Sequence, residues 1–285
     1  MTDVSVAWIH RLGPQAASYR YRAETPAREV AKINGFRCSL NEGTAGVLVF
    51  AKPLAPDLAL AETAKAAGAK IVVDLADDHL TKKGVGSLYA AMAKLADAVV
   101  CPTAEMASRV HAVTGVLPHA VIPDPYEMPE VAPHAEGANA LWFGISSGLH
   151  DLDSIRGALK KFDLRVVTGP KVPEGAIQWT QDVLLRELMR ANVVVIPTRQ
   201  GAEYKTNNRL LNAIRGGTFP VVSAHPSHME FRRFVWVGVI PTGLQWVRAF
   251  QSDLNALVAA AQDHIRVRYS PETIGAQWAD FLGAL

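Results

Sequence analysis

The chain of 285 residues has only two cysteines, Cys38 and Cys101. Both lie in apolar, strand-like runs and read as small buried hydrophobes, which excludes a disulfide-stapled scaffold or a cysteine-rich metal site. An excess of charge of either sign is also lacking. Lys and Arg number 29 against 27 Asp and Glu, a formal net charge of +2, so charge demands no polyanionic partner. No apolar run reaches the ~20 residues of a membrane span. The N-terminal MTDVSVAWIHRL lacks the basic start and apolar stretch of a signal peptide. A cytoplasmic location is therefore expected. A single Gly13 follows the first strand-like run where a dinucleotide-binding dehydrogenase would carry G-x-G-x-x-G.

What is present is apolar material for two cores, 49% of the residues, in a chain of about two domains' length. Short β-branched runs recur at Val4–Ile9, Val47–Phe50, Ile71–Val73, Ala98–Cys101 and Ala120–Ile122, with helical stretches between them. This is the rhythm of a buried parallel sheet. Thr25-Pro26 offers an N-cap and N1 proline, and Gly68 a C-cap for the stretch Ala55–Ala67. From Pro123 to Asn139 the pattern breaks into PDPYEMPEVAPHAEGAN, with four prolines, and reads as a linker. The rhythm restarts at Ala140–Phe143, Leu164–Val167, Val193–Ile196, Phe219–Val222 and Val237–Ile240. A last helix is expected from Pro271, with Ile274, Trp278 and Phe281-Leu282 on one face. The expected domains are 1–130, 140–265 and a terminal helix, 266–285, returning to the first.

Three segments concentrate chemistry. In VVVIPTRQGAEYKTNNRLLNAIRGGTFPVVSA, Val193–Ala224, a buried strand runs into a polar loop and then a helix expected to begin around Tyr204–Thr206. Lys205 and Arg209, four apart on such a helix start, would suit a diphosphate, and Gly144-Ile145-Ser146-Ser147-Gly148 is a small-residue loop that backbone-bound phosphate could approach. The second segment, Asp74-Leu75-Ala76-Asp77-Asp78-His79, places three carboxylates and an imidazole at a strand end. There Asp77, Asp78 and His79 are candidates for proton transfer, with Asp74 read as structural. The third is the loop after the first strand, with His10, Arg11, Tyr19, Arg20 and Arg22 as candidates for acceptor or phosphate contacts. His225 and His228 lie three apart, but no third metal ligand is evident beside them.

In order and spacing, YRYRAETPAREVAKINGF, LVFAKP, KIVVDLADDH, LADAVVCPTAEMASRV, HAVIPDPYE, ALWFG and the segment Val193–Ala224 resemble the GT-B glycosyltransferases, especially their glycogen-synthase-like and mannosyltransferase-like group. The resemblance implies an α/β fold of two Rossmann-like domains facing across a cleft. It also implies metal-independent transfer of a sugar, most readily a hexose, from a nucleoside diphosphate sugar such as a UDP-sugar to a hydroxyl acceptor. The donor is a co-substrate, and no cofactor or metal is called for. Donor contacts implied are Lys205, Arg209, Asn208, Gly144, Ser146 and Ser147. Tyr204 and Asn212 stand where many of the group carry two glutamates. The acceptor side falls to the first domain, its class open among glycan, small metabolite and modified DNA. Two alternatives accompany this reading: a phage-type enzyme glycosylating hydroxymethylated DNA bases, and a non-catalytic descendant that only binds nucleotide sugar.

Overall fold

The computed structural model describes residues 3–199 and 201–285. They form two compact units. The first comprises 1–125, Tyr204–Thr206 and Arg268–Leu285; the second comprises Tyr126–Glu203 and Asn207–Val267.

The first unit holds six strands: β1 Val4–Ile9, β2 Phe36–Leu40, β3 Val47–Ala51, β4 Lys70–Asp74, β5 Ala98–Cys101 and β6 Ala120–Val121. They pair in parallel in the order β2-β1-β3-β4-β5-β6. Side-chain alternation divides β3 between two cores. Leu48 and Phe50 join Ile71 and Val73 on one face, while Val47 and Val49 join Val6, Trp8 and Val72 on the other. Burial of both faces explains why these runs read as continuously apolar.

Thr25-Pro26 does not start a helix. Helical turns run from Ala17–Tyr19 through a π-helical turn, Arg20–Glu24, into Thr25–Val30. A proline inside a helix removes one amide donor, and a π-turn is a common place for the resulting adjustment.

The helix Pro271–Gly283 is capped by Ser270, whose Oγ accepts from Thr273 N at 3.0 Å. It buries Ile274, Trp278 and Leu282 in the core that contains Trp8 and Val30. Gly275 is where it crosses Thr25–Val30 most closely: a Cβ there would lie 2.4 Å from Glu29 Cβ.

The second unit holds β7 Asn139–Ile145, β8 Asp163–Gly169, β9 Ile177–Gln178, β10 Val193–Ile196, β11 Phe219–Val222 and β12 Trp236–Val237. All pair in parallel in the order β12-β11-β10-β7-β8-β9. Most of the proline-rich segment is part of this unit rather than a free linker. Met128 and Ala135 are buried, Val131 N donates to Arg215 O, His134 N donates to Gly217 O, and the Arg215 guanidinium lies 4.2 Å above the Tyr126 ring. Prolines leave few amides to satisfy, and the end of the helix Asn208–Arg215 supplies carbonyls for those that remain. No helix among the described residues is long and apolar enough to cross a membrane.

Candidate functional site

In both sheets the loops that carry polar chemistry follow the carboxyl ends of parallel strands, where ligands collect in open α/β sheets. In the second unit, β7 runs into Gly144 and then the short 3-10 turn Ser146–Gly148. The loop lies tightly over Trp142, since a Cβ at Gly144 would stand 3.2 Å from the indole and 3.4 Å from Arg209 Nη1. Glycine at 144 thus spares the loop that carries Ser146 and Ser147 a tight contact with the indole.

Arg209 is half-buried and donates from Nη1 to Phe143 O at 3.4 Å. No carboxylate among the described residues pairs with it. Burial pushes its pKa down to about 10, opposed by Asp151, so the guanidinium stays charged. Beside it in sequence, Asn208 Oδ1 is buried without a hydrogen-bond partner. A half-buried cation at the first turn of a helix suits an anionic ligand, while the buried amide oxygen beside it calls for a donor such as a hydroxyl.

The other donor-side candidates lie elsewhere. The helix begins at Asn208 rather than at Tyr204–Thr206, so Lys205 and Arg209 do not share a helical face. Asparagine side chains compete with helical hydrogen bonding and favour helix starts, and here Asn207 occupies the N-cap with φ −91°. Lys205 is exposed and, with Tyr204, belongs to the first unit, where Arg109 stacks 5.7 Å above the Tyr204 ring. Asn212 is buried, and its Oδ1 accepts from Glu127 N at 3.4 Å. Its amide anchors the segment after Pro125.

In the first unit, Asp77, Asp78 and His79 follow β4, but their environments differ. Asp78 Oδ2 accepts from Arg109 Nε at 3.1 Å and its Oδ1 from Leu80 N at 3.3 Å. Both oxygens are thus engaged in shaping the loop. Asp77 Oδ2 lies 2.9 Å from Lys52 Nζ and 3.9 Å from His79 Nε2. The His79 ring stands edge-to-face with Tyr89 at 5.3 Å. Burial lowers the His79 pKa; Asp77 opposes this, while Lys52 and Lys82 reinforce it. The imidazole is therefore neutral at pH 7 and able to accept a proton.

The loop after β1 is largely used by the fold. His10 is buried, with Nε2 3.1 Å from Ser18 Oγ and Nδ1 3.3 Å from Leu12 O. Tyr19 packs edge-on against it at 5.6 Å. Arg11 pairs with Asp57 at 2.7 Å, and Arg20 donates to Pro14 O at 2.7 Å. Arg22 contradicts the expectation outright. It is 1% exposed, donates from Nε and Nη2 to the two oxygens of Asp74 at 2.7 Å each, and from Nη1 to Asp124 Oδ1 at 3.0 Å and Ile122 O at 2.7 Å. It is a structural cation with no donor left facing solvent.

No family model matches the sequence, and comparison with curated protein sequences gives no match. Solved structures match along the whole chain. An alpha-glucosyltransferase in complex with UDP and a 13-mer DNA containing a HMU base is similar at TM-score 0.71 and 9% identity, over 99% of this chain and 100% of its own. OtsA in its apo form is similar at TM-score 0.64 and 10% identity, over 99% of each chain. An alpha1,3-fucosyltransferase gives TM-score 0.57 and 9% identity, over 99% of this chain and 90% of its own. The fold is that of the GT-B glycosyltransferases.

Within this fold, sequence reasoning missed Lys52, Arg109 and Trp142. Lys52 directly follows the buried run Val47–Ala51 and precedes Pro53, and a cation at that boundary was the available signal. Arg109 and Trp142 act through partners distant in sequence and carry no local signature.

Proposed function

We propose that the protein transfers a sugar from a nucleoside diphosphate sugar to a hydroxyl acceptor, with the donor held at the carboxyl edge of the second sheet and the acceptor served by the first unit. The observation that carries this reading is Arg209, a half-buried cation without a carboxylate partner among the described residues, beside the glycine loop Gly144–Gly148 and the orphan amide oxygen of Asn208. A diphosphate supplies the missing charge and accepts from the guanidinium, and a hydroxyl of the ribose or sugar can donate to the Asn208 oxygen. A UDP-hexose is the donor class we favour, because the alpha-glucosyltransferase that matches over its full length is bound to UDP. Transfer proceeds without a metal in this reading, the charge of the leaving diphosphate being met by Arg209 and the helix start. Lys205 is also proposed as a donor contact, and Ser146 and Ser147 as backbone and hydroxyl donors.

On the acceptor side, Asp77 and His79 are proposed to receive the acceptor hydroxyl, the neutral imidazole taking its proton as the glycosidic bond forms. His79→Ala and Asp77→Asn should each lower turnover by about a hundredfold or more while leaving UDP affinity unchanged. Asp78→Asn should instead lower stability. Because burial holds the His79 pKa below its ordinary value of 6.5, turnover should be constant near neutrality and fall only as the pH drops through that lowered value. Equal losses of UDP binding and turnover in the His79 variant would contradict this division of roles.

The acceptor class favoured second is a hydroxymethylated base in DNA, as the matched alpha-glucosyltransferase is bound to DNA containing a HMU base. Incubating the protein with a panel of nucleotide sugars and acceptors, hydroxymethylated DNA among them, and reading the product mass tests the activity. A mass increase of one sugar on an acceptor supports transfer. Tight UDP-sugar binding with neither transfer nor hydrolysis would favour a binding protein.

A further inference from the structure

Lys52 stands out by its backbone. It follows β3 with φ +55°, a left-handed conformation that costs a residue with a Cβ more than it costs glycine. The sheet order places β3 between β1 and β4, so the first residue beyond β3 lies between the loops that carry His10 and His79. Its amide points at Asp74 O at 3.5 Å, and its ammonium reaches Asp77 Oδ2 at 2.9 Å. That oxygen also faces His79 Nε2 at 3.9 Å, while Asp77 Oδ1 has no hydrogen-bond partner among the described residues. A strained residue whose side chain serves one oxygen of a half-exposed carboxylate is a feature that the fold alone does not require.

We propose that Lys52 is a positioning residue of the acceptor site, anchoring Oδ2 of Asp77 so that this carboxylate is fixed against His79 and its other oxygen is left open to an acceptor hydroxyl. The proposal rests on the reading of the first unit as the acceptor side. Three charged groups act on the imidazole: Asp77, Lys52 and Lys82. Asp78 lies next to it but is committed to Arg109, and Tyr89 contributes its ring. Lys52 is thus the cation on the Asp77 side of the pair. Removing it both withdraws a repelling charge from His79 and frees Asp77 to pair with the imidazole, and the two effects have the same sign.

Nuclear magnetic resonance titration of the full-length protein, with the His79 signal assigned through His79→Gln, tests this. In Lys52→Met the His79 midpoint should rise by about half a pH unit or more, and in Asp77→Asn it should fall. Lys52→Arg, which keeps the charge, should restore the wild-type midpoint. A lysine that did not act on the Asp77–His79 pair would leave the His79 midpoint unchanged in Lys52→Met. The backbone part is read by comparing Lys52→Gly with Lys52→Met, which both lack the ammonium. The glycine variant should melt about 2–4 °C higher, since only methionine keeps the left-handed penalty. An unchanged His79 midpoint in Lys52→Met, or a glycine variant melting at or below the methionine one, would overturn the proposal. Neither readout involves donor or turnover, so failure here is separable from failure to bind UDP.

Discussion

Replacing Arg22 with methionine is expected to destabilise the first unit by about 3–5 kcal/mol, the usual cost of leaving a buried partner charge uncompensated. The side chains of Arg22, Asp74 and Asp124 are 1%, 0% and 4% exposed, so water cannot replace the lost guanidinium. Both carboxylates would be stranded, and the Ile122 carbonyl would lose its donor. The cation also lies 5.6 Å from the Trp278 ring, so its loss and changes in the terminal helix should not be additive. The sign of the pH response follows from burial, which pushes the Asp74 pKa up, with Arg22 opposing. Without Arg22 the folded value rises further above the unfolded one. The variant should then be least impaired below the unfolded carboxylate value of about 4 and lose stability as the pH rises from there. Urea unfolding of wild type and variant at pH 4 and pH 7 checks both statements. A loss under 1 kcal/mol at pH 7 would mean that the network is dispensable.

Deleting Pro271–Leu285 should have a still larger effect. Ile274, Trp278 and Leu282 are at most 2% exposed, and burying each such side chain is worth roughly 1.5–3 kcal/mol. Their sum, about 4.5–9 kcal/mol, matches the whole stability of many domains. The truncation would also uncover Trp8, which packs edge-to-face with Trp278 at 6.1 Å, along with Val30 and Ala27 of the same core. Loss of near-ultraviolet circular dichroism and strong binding of an apolar dye are the expected results. An unfolding midpoint equal to that of the intact chain would contradict this account of the core.

The elements that were legible in the sequence are those buried on both faces. Val47–Ala51, Ile71–Val73, Val193–Ile196 and Phe219–Val222 are apolar runs because each lies inside a parallel sheet with neighbours on both sides, and the α/β class followed from them. The edge strand Phe36–Leu40 was legible only as a strand-like stretch around Cys38, without bounds, because its residues are half-buried or exposed. Prolines misled twice. Pro26 sits within helical turns rather than starting a helix, and the prolines of 126–138 line a segment that packs on its own unit. Arg22 shows the limit most clearly. Its side chain looks like its neighbours Arg11 and Arg20 in sequence, and only Asp74 and Asp124, 52 and 102 positions away, make it structural. Asp77 and Asp78, adjacent and chemically identical, were separated only by Lys52 and Arg109, each from a different element.

The central claim is that Arg209 meets the diphosphate of a nucleotide sugar, and titration calorimetry of UDP into wild type and Arg209→Ala tests it most directly. Losing one charged hydrogen-bonding partner should weaken binding by about 1.5–3 kcal/mol, roughly 10- to 150-fold in affinity. Arg209→Lys should recover part of the loss, since an ammonium keeps the charge but not the planar fork. The account predicts measurable UDP binding by the wild type and this ordered loss in the two variants. Equal UDP affinity in wild type and Arg209→Ala, or no binding by the wild type, would contradict it.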